Sequence, residues 1–192
     1  MAALFAVVLV LLIVAFLLLT TYNAIVDLRQ RSDKAWSNID VALKQRFDQL
    51  PNLVEAVKGV MSWEQDVLRD VAAARAAYAP SAPIPDQAAT SAATSTAVRS
   101  LFAVVERYPE VRSAANVLAL QEEIERLESM IADRRELYND QVYRYNSRIA
   151  QVPAVILASL FGWRARPFFE APEADRQRPD AVLLGDPDAR PD

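Results

Sequence analysis

The chain contains no cysteine and no histidine, and only three of its 192 residues are glycine. It therefore lacks a thiol nucleophile, an imidazole base, a thiolate zinc site and a Ser-His-Asp triad. Gly59, Gly162 and Gly185 are too far apart for a phosphate-binding loop or a dinucleotide fingerprint, in which closely spaced glycines let backbone amides approach phosphate. These absences exclude most familiar enzymes. We predict a protein that is not an enzyme and that uses no cofactor or metal.

The N-terminal residues form an uninterrupted apolar run. Every residue from Met1 to Leu19 is apolar, and 14 of them are Leu, Ile, Val or Phe. As a helix this run is roughly 28 Å long, close to the thickness of bilayer hydrocarbon, and its insertion gains on the order of 5 kcal/mol. A cleaved signal peptide is the alternative, but no basic residue precedes the run and residues 20–23 form a poor cleavage site. We predict a retained single-pass transmembrane anchor over residues 1–21.

Charge is distributed unevenly along the chain. Arg29, Arg31 and Lys34 follow the apolar run and no basic side chain precedes it, which predicts a cytoplasmic body and an N-terminus on the outer side. Residues 1–169 hold 18 acids and 18 bases, so the net charge of −4 belongs to residues 170–192. Because the body is neutral and its arginines are dispersed, we predict no nucleic-acid partner.

The apolar period of residues 22–151 is helical throughout, and no strand pattern competes with it. Pro51 is predicted to end the first helix and Pro109 the third. Short connections favour antiparallel neighbours, so we predict an all-α fold in which the transmembrane helix continues into an antiparallel up-down-up-down bundle of long helices. The last helix exceeds the first two by roughly 20 Å. Its heptad-spaced apolar residues predict either a coiled-coil contact with a second copy or a tilted arrangement of this helix. The predicted helices cover residues 23–50, residues 52–79, about 18 residues before Pro109, and residues 110–151.

The segment from 152 to 169 combines a short apolar stretch with aromatic and basic side chains. The stretch cannot span a bilayer, but aromatic rings and guanidinium groups together suit the headgroup region. We predict a second, peripheral membrane contact here, with packing under the bundle as the alternative. Residues 170–192 are predicted to be a disordered, acidic, proline-rich tail that either solubilises the chain or docks through residues 182–184. The predicted membrane-interface residues are Tyr22, Arg29, Arg31, Lys34, Trp163, Arg164, Arg166, Phe168 and Phe169.

Glu64 is the best single candidate for chemistry, because it falls at a position of the second helix where the pattern predicts an apolar residue. A buried carboxylate needs a partner or must take up a proton. Arg134 or Arg135 of the last helix is the predicted partner. The pair is interpreted as a buried ion pair that fixes the register of the helices, with a catalytic or ligand-binding acid as the alternative.

Several recognisable groups of residues lie along the predicted helices. They are residues 22–23, 44–54, 57–59, Glu64, residues 108–112, Asn116, residues 120–121, Arg135, residues 138–139, residues 145–146 and residues 168–170. Together these groups resemble the LemA family, and the resemblance covers essentially the whole chain after the anchor. One departure is visible, since the family often has a histidine where this chain has Trp63, which puts any histidine-dependent role in doubt here.

The resemblance implies a bacterial inner-membrane protein with a long antiparallel helical domain and a role in envelope maintenance beside a membrane protease. Two functional hypotheses follow. The first is a membrane-anchored scaffold or adaptor whose partners are membrane lipids, a second copy of itself, and a membrane protease or other envelope protein. The second is a lipid-surface or membrane-remodelling protein that uses the segment from 152 to 169.

Overall fold

The computed structural model describes residues 1–58 and 64–170, and all regular structure within these ranges is α-helical. The predicted all-α class is therefore confirmed, with one long apolar helix at the N-terminus. In chain order the helices are α1 (Ala2–Lys58), α2 (Gln65–Ala76), α3 (Ile84–Val105), α4 (Pro109–Arg112), α5 (Ala115–Ile149) and α6 (Ala154–Leu160).

Helix α1 is unbroken over its 57 residues, which corresponds to roughly 85 Å. Its N-terminal part is long and apolar enough to cross a membrane, and none of its most apolar window is buried within the protein. The prediction that Pro51 ends a helix is wrong, because α1 continues through it. Pro51 faces solvent while Leu50 and Leu53 on either side are buried, so core packing holds the helix across the one missing backbone hydrogen bond.

In the contacts between α1 and α5, residue numbers rise along α1 while they fall along α5. The ring of Trp36 lies 5.6 Å from that of Tyr138, centroid to centroid. Further from the N-terminus, the carbonyl of Asn38 accepts a hydrogen bond from Arg134, and Arg46 meets Glu128. These two helices are therefore antiparallel. The full up-down-up-down order of four helices stays a prediction.

The main core lies where α2 and α3 pack beside α1 and α5. The predicted helix over 52–79 does not exist as one unit, because residues up to Lys58 belong to α1 and α2 begins at Gln65. The predicted helix over 110–151 is likewise divided into α4 and α5. The largest fully buried apolar side chains of this core are Ile39, Leu43, Leu50, Leu53, Leu101, Ile124 and Tyr138.

A second, smaller core, here called the exit cluster, lies where α1 leaves its apolar run. Its buried residues come from α1, α5 and α6, and Leu18, Tyr22, Leu28 and Trp163 pack against them at its edge. The buried members are Ile25, Tyr145, Ile149, Ala154, Leu157 and Ala158.

The chain reverses direction after α6 through a left-handed glycine. Gly162 has a φ of 65°, and its N–H donates to the carbonyl of Ser159. The N–H of Trp163 donates to the carbonyl of Ala158 at 2.8 Å. This pair of bonds is a Schellman motif, in which glycine avoids the penalty that a Cβ atom would meet. The motif directs the extended residues 163–170, here called the strap, back along α5.

Candidate functional site

A fully buried arginine on α1 joins three helices. Arg46 has no exposed surface, and its Nη1 donates to Glu128 Oε1 on α5 at 2.7 Å. On α3, Nη1 also donates to Ser95 Oγ at 3.0 Å, while Nη2 donates to Ser91 Oγ at 2.9 Å. Ser95 Oγ in turn donates to Glu128 Oε2 at 2.8 Å. We call these four residues the arginine centre.

Burial lowers the pKa of Arg46 from its ordinary value, and the charge of Glu128 and the hydrogen bond to it oppose that change. The guanidinium also lies over the ring of Phe47, 5.3 Å from its centroid. Charge-assisted bonds of this kind are short and directional. The centre therefore fixes the register of α1 against α3 and α5.

A groove of about 970 Å³ lies over the arginine centre, between α2, α3 and α5. Its walls are mostly small side chains, with Ser91, Ser95 and Glu128 of the arginine centre among its lining residues. Asp70, Arg99 and Arg135 also line it, so both signs of charge are present. The alanines that line the groove are Ala73, Ala74, Ala77, Ala88, Ala92, Ala93, Ala97 and Ala132.

The predicted ion pair between Glu64 and Arg134 or Arg135 is wrong. Glu64 Oε1 instead accepts from Arg107 Nη2 at 3.1 Å and from the Tyr108 hydroxyl at 3.4 Å, and Arg134 donates to a carbonyl of α1. Arg135 lines the groove. The reason is that α2 begins only at Gln65, so Glu64 precedes the helix whose apolar face it was expected to join. Trp63 lies outside the described residues.

Two asparagines on α5 fasten the strap. Asn146 accepts from the N–H of Arg166 at 2.8 Å and donates to its carbonyl at 2.9 Å. One heptad earlier, Asn139 does the same for Phe169, at 2.9 and 3.3 Å. Each side-chain amide thus satisfies both polar groups of one extended residue, as a neighbouring strand would. We call these the asparagine clamps.

Tyrosines next to the asparagine clamps complete the attachment of the strap. The Tyr138 hydroxyl donates to the carbonyl of Pro167 at 2.9 Å, and burial raises the pKa of Tyr138 to about 12. Arg166 forms an ion pair with Asp33 at 2.7 Å and lies over the ring of Tyr145.

Several residues predicted to contact a membrane belong to the strap, and its attachment to α5 fixes where they lie. Phe169 is 2% exposed and packs against Trp36, so the prediction for this residue is wrong. Its side chain is turned inwards because the asparagine clamps hold the strap against α5. The guanidinium of Arg166 is engaged with Asp33 in the same way. Phe168 and Arg164 remain exposed.

The other predicted interface residues lie near the end of the apolar run. Tyr22 is in ring contact with Phe161 at 5.2 Å and with Trp163 at 5.4 Å, which places three aromatic rings at the exit cluster. Among the basic residues, Arg31 pairs with Asp27 of the preceding turn, and Arg29 and Lys34 are exposed. Of the predicted tail only residue 170 is described. Membrane contact by these residues stays a prediction.

Within residues 1–58 and 64–170, no group of three or more Asp or Glu side chains is arranged to hold a metal ion. The titratable groups of the arginine centre are Arg46 and Glu128, which bind each other. The arginine centre positions three helices beneath the groove.

A family model described as the LemA family matches residues 35–182. The chain belongs to the LemA family. The match includes the arginine centre, the groove and the asparagine clamps, whereas the apolar run and Tyr22 precede it.

Two curated relatives of this LemA-family chain come from Paramagnetospirillum magneticum (strain ATCC 700264 / AMB-1). They are described as the magnetosome proteins MamQ 2 and MamQ 1. Each is 38% identical over 80 residues, which is 41% of this chain and 29% of the relative. The matched part therefore spans less than a third of the length of those relatives.

Proposed function

We propose that this LemA-family chain is a non-enzymatic, membrane-anchored scaffold that holds its groove at a fixed height above the bilayer and presents it to a protein partner. The observation that carries the proposal is the unbroken α1, which runs from the apolar run into the main core. A helix without a hinge transmits the position of the anchor directly to the domain. The membrane is proposed to be the bacterial inner membrane, with the domain on its cytoplasmic side.

The height of the groove follows from the length of α1. Arg46 lies about 26 residues beyond Thr20, which is roughly 39 Å along a helix axis. The arginine centre fixes this part of α1 to α3 and α5, so the groove cannot slide along the anchor helix. A partner bound there is held at a defined distance from the lipid surface.

The lining of the groove favours a helix as its occupant. Small side chains along the walls allow the backbone of a second helix to approach closely. Asp70, Arg99 and Arg135, which also line the groove, can pair with charges beside the contact face of that helix. We propose an amphipathic helix of another envelope protein, such as a membrane protease, as the partner. The magnetosome description belongs to the two relatives, and the proposal rests on the contacts of this chain.

A second candidate is a lipid-surface or membrane-remodelling protein that acts as an oligomer. The apolar side chains exposed near the exit cluster favour it, since they lie beside the anchor. The two candidates differ in the groove, which only the scaffold requires.

Photocrosslinking of the full-length protein in native membranes tests the scaffold. Because the chain has no cysteine, Ala93→Cys places a single benzophenone label in the groove, and Val41→Cys places one at a similar height on exposed α1 surface. We expect a discrete adduct with one other protein from position 93 only. The same protein should copurify with the unlabelled chain, be lost with Ala93→Phe and be retained with Val41→Phe.

Other results would contradict the scaffold. Adducts at position 93 to lipid alone, or to a second copy alone, favour the second candidate. Equal adducts from positions 93 and 41 mean that the groove has no preferred partner.

A further inference from the structure

We infer that α6 and Phe161 form a collar whose outer apolar face inserts into the headgroup region of the bilayer beside α1, so that the domain contacts the membrane at two points. This inference rests on α1 spanning a bilayer, as proposed above. It concerns lipid contact at the exit cluster and is independent of what binds the groove.

The depth of α6 is set by its contacts with α1. Leu18 lies inside the apolar run, yet it packs against the exit cluster to which α6 contributes its buried residues. Thr21 is also buried there. Helix α6 is therefore level with the end of the apolar run, which is where bilayer hydrocarbon gives way to headgroups if α1 spans the membrane.

Helix α6 is apolar on the face away from the protein as well as on the face towards it. Ala154, Leu157 and Ala158 are buried against α1 and α5. On the other side, Ile156 is 61% exposed and Leu160 is 75% exposed. A surface helix in water has a polar outer face, whereas a helix that lies in the membrane interface turns apolar side chains towards the acyl chains.

Neighbouring residues extend the exposed apolar face of α6 on both sides. Val152 precedes the helix and is 80% exposed, and Phe161 follows it at 51%. Val155, within the helix, is also exposed. Apart from Ser159, which is also exposed, the outer face of α6 is thus apolar.

Three aromatic residues lie at the same level along α1 as α6. Tyr22, Phe161 and Trp163 contact each other in pairs within 5.4 Å, at the end of the apolar run. Aromatic rings collect at both membrane–water boundaries, where an apolar ring and a polar edge are both satisfied. The exposed Arg164 follows directly and can reach lipid phosphate.

Lipid is the occupant that the structure favours, because the face is continuous with the anchor. The side chains of residues 1–17 are exposed along α1 and must contact acyl chains if the helix spans. Leu18 joins that surface to the exit cluster, to which α6 belongs. A second copy of the chain or another protein would have to displace lipid from a site beside the span.

Depth-dependent fluorescence quenching tests the collar. Full-length chains that carry a single environment-sensitive label at Ile156→Cys or Leu160→Cys are reconstituted into vesicles of phosphatidylcholine and phosphatidylglycerol. Separate vesicle preparations carry a nitroxide at the headgroup, shallow on the acyl chain, or at the chain end. The matched control is Leu137→Cys, an exposed apolar position about 18 Å further along α5 from its membrane-proximal end.

We expect labels at 156 and 160 to emit at shorter wavelength and to lose most of their emission to the headgroup and shallow nitroxides. The label at 137 should keep its emission. Equal water exposure at all three positions would overturn the inference. Protection that disappears when the protein is diluted into excess lipid would also overturn it, because a second copy would then cover the face.

Two further measurements separate the collar from folding and from the anchor. With a label at Val155→Cys, the paired change Ile156→Glu and Leu160→Glu should abolish the quenching while the helical signal of the domain is retained. Quenching that survives this change contradicts an inserted face. A label at Val10→Cys reports the anchor itself, so a failure of the span and a failure of the collar give different results.

Discussion

Arg46 places a full positive charge in the core, and its hydrogen-bond partners determine the effect of that charge on the packing of the helices. An uncompensated buried charge costs several kcal/mol, and an opposite charge with hydrogen bonds offsets part of that cost. Here Glu128 and two serines receive the guanidinium, and they come from two other helices. The same bonds that compensate the charge therefore select one alignment of α1, α3 and α5.

Removal of either charge of the arginine centre should strongly destabilise the domain. We expect Arg46→Ala to lower the free energy of unfolding by about 3 kcal/mol, because Glu128 and the serines lose their partner. A double-mutant cycle with Glu128→Ala, measured by denaturant unfolding, should give a coupling energy of about 1–3 kcal/mol. Arg126 and Glu123, an exposed pair on α5, form the control cycle and should couple weakly. Additive losses at the arginine centre would contradict the role assigned to it.

Tyr138 should make the domain sensitive to alkaline pH. Its pKa is about 12 in the folded protein, above the ordinary value of 10, so the folded state favours the protonated phenol. That contribution is complete below pH 10 and is lost as the pH rises through 12. It amounts to roughly 2–3 kcal/mol.

The measurement for Tyr138 is the free energy of unfolding at pH 9 to 12, compared with Tyr138→Phe. The variant loses the hydrogen bond to Pro167 at every pH, so it starts less stable. It should nevertheless show a shallower decline with pH than the parent. Parallel declines would mean that another group titrates.

The prediction of the core from the apolar residues of the sequence missed Arg46, a charged residue among them. Arg46 shares the buried face of α1 with Leu43 and Leu50, and Glu128 follows the buried Leu127 of α5. A charge on that face is the signal that could have identified the centre. Glu64 also carries a charge at an apolar position of the pattern, but the helix that would bury it begins one residue later.

The strap shows how an element without regular structure is held by a regular one. Its backbone lacks ladder partners, and side chains spaced by one heptad on α5 replace them. Neither periodicity nor propensity predicts such a segment. The repeated tyrosine–asparagine pairs at 138–139 and 145–146 are the only trace of it in the sequence, since they mark one face of α5.

Loss of an asparagine clamp should loosen the strap without unfolding the domain. We expect Asn139→Ala and Asn146→Ala each to cost about 1–3 kcal/mol, because each leaves a backbone N–H and carbonyl of the strap unpaired. Hydrogen exchange should show faster exchange at the amides of Phe169 and Arg166 respectively. Asn116→Ala, at an exposed position of α5, is the control. Unchanged exchange at both amides would show that the clamps are not needed.

Among the helices, the apolar period of the sequence predicted the all-α class and the existence of most helices. The helix boundaries inferred from Pro51 were wrong. At Pro51 the packing of flanking leucines outweighs the lost hydrogen bond, and this depends on tertiary contacts that a single sequence does not display. At the short α4, by contrast, a proline does coincide with a helix boundary. Pro109 begins it, as a proline in a first turn can.

At the scale of the whole molecule, stability is concentrated in the pair formed by α1 and α5. These helices supply most of the largest buried side chains, whereas α2 has a single buried residue, Val71. Elements with few buried contacts open at lower free energy than the core. The groove, walled partly by α2, therefore has one side that is easier to open.

Hydrogen exchange of the full-length chain in lipid nanodiscs should reveal this hierarchy. Outside the apolar run, we expect the slowest amides in residues 39–57 of α1 and residues 117–145 of α5, and faster exchange throughout α2. Addition of mild denaturant should open α2 before α1 and α5. Protection of α2 equal to that of α1 would contradict the hierarchy.

The continuous α1 also constrains how the length of the chain can change during evolution. Insertion of one residue between Leu19 and Tyr22 would turn the anchor by about 100° against the domain and lengthen the helix by about 1.5 Å. Leu18 would then face away from α6. Insertions or deletions of about seven residues, close to two full turns, leave the same face of the anchor turned towards α6. We therefore expect changes in the length of α1 at this point to come in steps of about two turns.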